Sequence, residues 1–596
     1  MSGLFALHVS VASSEPILAI VGVDVVNPIG IADVSDSTVL ISGQKIVAIG
    51  PSKSTEVPPT ATVIDGDGRY LIPGLIDLHV HFQSNGSSLY AYKGGQPTID
   101  DVDQPLRSAL VSPQQGVEVA LQKLVRSGIT TARSLGESFW AYEARATLKQ
   151  RAAQSVAPHI VLSSPGFYPR FSWADDWRVT TEEQARSLVE RYSKSDKVDL
   201  LKVWFVHGKF TGEDDDDDDW KELLPIVEAF LDEAHKREMP NSVDAIEADK
   251  AKAVIKLGGN LAHGVFFGEV DDEYLALMKQ HRTQQVMTLV ASVRYFGAVA
   301  GHLEFSGPEL LLSDPNITAQ LFDIKEMDTD DLVIPDGGSR FDGLSLAQAM
   351  QEPPYLEEIE VSVENLRRIH EHGIEVGIGT DTGITGIPFG AAIFAEFEYY
   401  RDAGMNPREI LTAATSTNAR FIGMQSQIGS VEVGKQADLV LLNSNPLDDI
   451  MNAADIAAVV LDGEHITASQ LNTDSPRDVV TRLRNAYNSG RPAVMAKLLA
   501  ANVKLWDERE NNKLDGRQAV LDHLAKGSDG VAYRGLVDAN ATGRVVLQTE
   551  KWADGSEKKL RYQVSNNLIQ RIHVLSDEND PGDNSLLQRV IDSVFN

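Results

Sequence analysis

A chain of 596 residues is too long for one core and points to about three or four domains. Its 42% hydrophobic and 23% charged content is that of an ordinary globular protein, and a formal charge of −32 without a basic stripe argues against nucleic acid as a partner. The absence of cysteine excludes disulfides, thiolate metal sites and a cysteine nucleophile, so any metal has to use histidine, carboxylate or a modified lysine.

Residues 1–16 read as a tail. The opening MSGLFALHVSVASSE holds a short apolar stretch but no cation before Lys45, so a secretory n-region is missing. A trimmed export signal keeps both a cytoplasmic and an exported location open. No apolar run approaches the roughly 20 residues of a membrane span. From 17 to 70 the chain reads as short strands, ILAIVGVDVVNP, STVLISGQKIVAIGP and ATVIDGDGRYLIPG, with Gly, Asn, Asp and Pro at the turns. A second β-rich patch, GSVEVGKQADLVLLNSNP and AAVVLDGEHI, lies far away, which predicts one small β-sandwich domain built from 17–70 and 427–470.

Between these flanks, residues 71–426 alternate apolar strand-like runs with amphipathic segments. The runs are GITTARSLG, HIVLSSPG, DLLKVWFVHG, GNLAHGVFFG, QVMTLVAS and EVGIGTDTG. That alternation predicts an α/β fold, a closed eight-fold (β/α)8 TIM barrel. Six consecutive aspartates in GEDDDDDDW repel one another and read as a solvated loop. Residues 476–596 change character. Helical segments (SPRDVVTRLRNAYNSG, RPAVMAKLLAA, DGRQAVLDHLAKG) with one short strand, NVKLWDE, precede long β patterns and a closing helix, NSLLQRVIDSVF. This predicts a separate α+β domain, similar in pattern to the NTF2/SnoaL-like cone.

Chemistry concentrates in the barrel. In GLIDLHVHF, residues two apart share one face of a strand, so His79 and His81 project together while Leu78 and Val80 turn into an apolar layer. Two imidazoles at that spacing make a chelating pair for zinc or a similar ion. Lys202, inside the apolar run LLKVWF, needs an explanation, because burying an ammonium is costly. His263 in NLAHGVF and Asp381 in GIGTDTG fall at the ends of strand-like segments. His159 begins a strand and so belongs at the opposite end of the barrel.

Together with EILTAATSTNARFIGM and IGSVEVGKQADLVLLNSNPL, these stretches resemble the amidohydrolase superfamily of metal-dependent hydrolases, over roughly residues 17–470. The resemblance implies metal ligands at His79, His81, Lys202, His263 and Asp381. It further implies one or two divalent ions, zinc first, with Lys202 carboxylated as a bridging ligand. One position departs from the pattern: EAHKREMPNSVDAIEAD places Asp244 where the fifth strand of this branch carries a histidine. Asp244 can coordinate directly, leave a mononuclear site, or mark lost activity. His207, Tyr168, Arg294 and Tyr295 are weaker candidates for a substrate pocket.

The branch resembled includes prolidase-like dipeptidases, imidazolonepropionase-like enzymes and ochratoxinase-like amidases. It implies hydrolysis of an amide or peptide C–N bond in a small-molecule substrate, by metal-activated hydroxide with Asp381 as base and then acid. The competing expectation is a degenerate barrel, impaired through Asp244, that binds a ligand without turnover. A membrane partner is not expected, and homo-oligomerisation through the C-terminal domain is open.

Overall fold

The computed structural model describes residues 16–82, 113–136, 156–169, 178–196, 198–205, 219–292, 294, 304–323, 354–384, 386–507, 512–526, 535–542, 544–551 and 557–575. The aspartate run before Asp219 and the closing helix NSLLQRVIDSVF lie outside them.

Eight parallel segments form a ring. The first five are regular strands, Leu75–Val80, Ile129–Ser134, His159–Pro169, Leu200–Trp204 and Asn241–Asp244, each hydrogen-bonded to the next. The sixth is a single bridging residue, Leu261, paired with Val243 on one side and Gln285 on the other. The seventh and eighth, Val286–Met287 and Gly377–Ile378, pair with each other, and a bridge from Thr382 to Val80 returns to the first. GNLAHGVFFG is therefore far less regular than its apolar pattern predicts. Asparagine side chains extend the short ladder there: Asn241 accepts from the Asn260 N–H at 2.8 Å, and Asn260 accepts from the Gln284 N–H at 3.0 Å.

The β domain is assembled from both flanks of the barrel. Its sheet runs Glu464–Thr467, Ile456–Leu461, Leu439–Leu442, Tyr70–Pro73, Ile17–Val25, Val34–Ser42, Lys45–Pro51, with Thr62–Asp65 also on Ile17–Val25. Hydrogen bonding makes it one continuous sheet, and strands from its two ends, with Val39 and Ile41 from one and Leu439 and Val460 from the other, share one core. The reason lies in Ile17–Val25, which is irregular around Gly22 (φ 77°). Leu18–Val21 pair with Thr62–Asp65, whereas Asp24 and Val25 pair with Tyr70 and Leu71. A bulged strand bends and twists, so one strand serves two partners.

The last described region has helices Pro476–Asn488, Pro492–Leu498 and Arg517–Lys526 against a six-stranded sheet. The first helix carries a capping box from Ser475 and Asp478 with Pro476 at its start. The following strand, Leu499–Asp507, begins earlier than NVKLWDE suggests, taking over the end of RPAVMAKLLAA. Its core also holds two residues from the barrel segment, Phe305 and Leu310, packed with residues such as Val480, Leu483 and Leu499. A buried charge cluster stitches the same border. Asp474 accepts from Arg126 at 3.0 Å and from Arg482 at 2.7 Å, with Lys123 3.6 Å away.

Candidate metal centre

Alternation along the first barrel strand sends Asp77, His79 and then His81 toward the same side, while Ile76 and Leu78 pack against Ala419 and Ile428. His79 is fully buried, and Nδ1 lies 3.0 Å from the carbonyl oxygen of Ala262. A carbonyl only accepts, so Nδ1 carries the proton and Nε2 presents a lone pair. Burial, with Lys202 and His263 nearby, holds the imidazole well below its ordinary pKa, in the neutral form a metal needs.

That lone pair meets two others. His79 Nε2 is 3.2 Å from His81 Nε2 and 3.3 Å from Asp381 Oδ1, and His81 Nε2 is 2.8 Å from the same oxygen. Asp381 Oδ1 is buried and has no well-aligned hydrogen bond despite these approaches. Burial alone pushes the Asp381 carboxyl up, but His81, with His263 and Lys202 behind it, outweighs burial and holds it below the usual range. Three atoms able to ligate a metal converge on one point. Donors about 2.0–2.2 Å from a tetrahedral ion sit roughly 3.3–3.6 Å apart, close to the spacing seen here, so the set fits a divalent ion.

The backbone is arranged to hold this. Asp381 has φ 59°, a left-handed conformation that aspartate tolerates better than most residues, and its N–H donates to the His79 carbonyl at 2.8 Å. Gly383 (φ 104°) passes so close to the first strand that a Cβ would lie 2.0 Å from the His81 carbonyl oxygen.

The other three ligand candidates form a neighbouring group. Lys202 is fully buried and its Nζ lies 2.5 Å from Asp244 Oδ1, which is also 3.3 Å from His263 Nε2. Burial depresses the lysine pKa, while Asp244 pulls the other way. Although burial alone raises it, the Asp244 carboxyl is held down to about 2 by Lys202 and His263. His263 Nδ1 is 2.6 Å from Thr288 Oγ1, which fixes the ring. Asp244 thus sits at the site, but its nearest partner is an ammonium.

Of the weaker candidates, Tyr168 is buried with its ring 4.4 Å from Trp204. Arg294 is buried, donates to Glu309 at 2.7 Å and lies over the Phe305 ring. His207 and Tyr295 lie outside the described residues.

Sequence reasoning missed the supports. Asp77 Oδ1 accepts from the N–H groups of His79 and Thr380, both at 3.1 Å, and Oδ2 accepts from the Thr380 hydroxyl at 2.6 Å. Burial pushes its pKa up to about 7. Arg133 reaches the first strand from the second, donating Nε–H to the Leu78 carbonyl at 2.8 Å. The alternation that paired His79 with His81 contains Asp77 as well; that signal was present.

Residues 70–466 match the profile of the amidohydrolase family. An imidazolonepropionase of Symbiobacterium thermophilum is 26% identical over 420 residues, covering 67% of this chain and 82% of that protein. Among solved structures, a Xaa-Pro dipeptidase with bound methionine has a TM-score of 0.55 at 20% identity, covering 76% of this chain and 100% of its own. The A. niger ochratoxinase has a TM-score of 0.53 at 17% identity, covering 76% and 96%. With residues 70–466, two thirds of its length, matched, the chain belongs to the amidohydrolase family of hydrolases.

Proposed function

We propose that this protein hydrolyses an amide or peptide C–N bond in a small molecule, with one divalent ion, zinc first, held by His79, His81 and Asp381. The observation that carries this reading is the convergence of three buried acceptor atoms, 2.8–3.3 Å apart, on one point. An ion bound there would supply Lewis acidity, acidifying water and polarising a carbonyl. The chain's own residues do the rest. Asp381, kept ionised, takes the proton from the attacking water and returns it to the leaving nitrogen. His79 stays neutral and is oriented through the Ala262 carbonyl, while His81 brings its Nε2 to the same point.

Lys202 favours a single ion. Its ammonium is neutralised by Asp244, and carboxylating it would set a second anion against that carboxylate. The reading with two ions bridged by carboxylated Lys202 therefore requires Asp244 to turn from the lysine to a metal. The same ion pair is what favours the degenerate-barrel reading, since it occupies groups that a second ion would use. We also infer an NTF2-like cone at the C-terminus. It is supported by a sheet in which Leu499–Asp507 lies parallel to Leu568–Val574, within an otherwise antiparallel order.

The test is metal content of the purified protein together with hydrolysis of N-acyl amino acids and Xaa-Pro dipeptides. One ion per chain at the centre, turnover lost on chelation and restored by zinc, and loss of turnover in Asp381→Asn are expected. Absence of metal at His79 and His81 with no turnover across the panel would overturn the proposal.

A further inference from the structure

A second convergence of donor atoms lies at the opposite end of the barrel. His159, the first residue of the third barrel strand, has Nε2 3.1 Å from Asp438 Oδ2 and 3.5 Å from Asp462 Oδ1. Asp438 immediately precedes the strand Leu439–Leu442, and Asp462 forms the turn between Ile456–Leu461 and Glu464–Thr467. The three therefore come from the barrel and from two places in the β domain.

Both contacts are at ion-pair distance: burial alone lowers the imidazole pKa, but Asp438 and then Asp462 outweigh it and raise it. His159 Nε2 and Asp438 Oδ2 are both buried, yet neither makes a well-aligned hydrogen bond, although they lie 3.1 Å apart. The carboxylate oxygen is off the direction in which an imidazole N–H would donate. Asp438 is only 4% exposed, and its other oxygen is occupied by the Asp462 N–H at 2.9 Å. That bond fixes the carboxylate and leaves Oδ2 facing His159. The same signature, close approach without hydrogen-bond geometry, marks Asp381 in the catalytic group.

The frame around these atoms is rigid. Asp462 has φ 51°, and the next residue, Gly463, packs so tightly that a Cβ would lie 1.9 Å from the Gly43 carbonyl oxygen. The turn therefore cannot drift away. Separations of 3.1 and 3.5 Å match the edges expected around a tetrahedral ion. His159 and Asp462 are partly exposed, which leaves a path for an ion and room for water as a further ligand.

We propose that His159, Asp438 and Asp462 form a second divalent-cation site, of zinc type, that clamps the base of the barrel to the β domain. One imidazole and two carboxylates suit zinc or a similar borderline ion, and their two negative charges are balanced by its two positive ones. With no part in turnover, the site acts on stability.

The test uses full-length protein crystallised with zinc, reading anomalous density at each cluster separately. A peak among His159, Asp438 and Asp462, within about 2.0–2.2 Å of the three atoms, is expected. Asp462→Asn keeps a residue that tolerates the left-handed turn, and His159→Gln keeps a polar side chain. Each should lose one zinc equivalent and the zinc-dependent rise in Tm, while turnover with metal at His79 and His81 is unchanged. No peak at His159, or zinc content and zinc-dependent Tm in both variants equal to the parent, would overturn the proposal. Because the map reports the two clusters independently, a failure here is distinct from a failure at the catalytic group.

Discussion

Lys202 on the fourth barrel strand reaches diagonally across the ladder to Asp244 on the fifth, Nζ to Oδ1 at 2.5 Å, and neither charge sees solvent. Removing one member of a buried pair leaves the other uncompensated, at a cost of about 3–5 kcal/mol. Asp244→Ala should therefore lower unfolding stability by that order, whereas Lys202→Met with Asp244→Leu should cost much less. Urea denaturation of the single and double variants measures the difference. Asp244→His removes the lysine's partner too, and under the one-ion reading a gain of a second metal equivalent is expected from metal analysis.

Asp77 touches no proposed metal position, yet it accepts three hydrogen bonds, one from His79 on its own strand and two that tie that strand to Thr380 just beyond the eighth. Asp77→Ala would orphan two N–H groups and a hydroxyl. Residues supporting metal ligands are typically worth about 10–100-fold in affinity. A zinc affinity lowered by that factor, read by competition with a chelating dye, is the expected result.

Gly383 gives the sharpest steric prediction. A methyl group there meets the His81 carbonyl oxygen at 2.0 Å and a φ of 104° that an L side chain resists. Gly383→Ala must shift Asp381, His81 or both. Loss of metal and of turnover should accompany a fall in stability of about 1–3 kcal/mol or more, from thermal or chemical denaturation.

The pH dependence of the domain border follows from Asp474. Burial alone would raise its carboxyl, but Arg482 and then Arg126 outweigh burial and hold it well below the ordinary value of 3.8. A depressed carboxylate contributes fully above its unfolded pKa and loses that contribution as pH falls below it. Asp474→Asn should thus lower Tm markedly at pH 7, leaving Arg126, Arg482 and Lys123 without their counter-ion. The gap between parent and variant should narrow progressively below pH 3.8, as followed by calorimetry.

Much of this was legible from the chain alone, for identifiable reasons. Strand alternation puts His79 and His81 on one side, and a lysine in LLKVWF demands a reason for its burial, although the reason the resemblance implies is carboxylation and not the Asp244 contact. The two β patches at 17–70 and 427–470 pair as their sequences suggest, because strands that flank a barrel have each other as neighbours. What escaped reading depends on three-dimensional neighbours with no local signature. Lys123 and Arg126 look like ordinary basic residues in the last turn of a helix, and only Asp474 from a distant segment shows their use. Leu310 belongs to a short helix, Gly307–Leu312, and Phe305 just precedes its cap Ser306; neither names a partner in the sequence, and both enter the C-terminal core. The sixth barrel segment misled because its backbone ladder is confined to the residues around Leu261, where asparagine side chains add to it.

The pairing of Leu439 with Pro73 also bears on how the protein is made. Strand Tyr70–Pro73 leaves the ribosome long before its neighbour, and at about 5–20 residues per second that delay lasts tens of seconds. Throughout it, a hydrophobic strand edge waits without its partner, the kind of surface that recruits other nascent chains. Translation that pauses or stops short of residue 439 would release a product carrying that edge permanently. Fragments truncated within the barrel should therefore aggregate, and the last strands of the β domain act as the closure that makes the earlier ones safe.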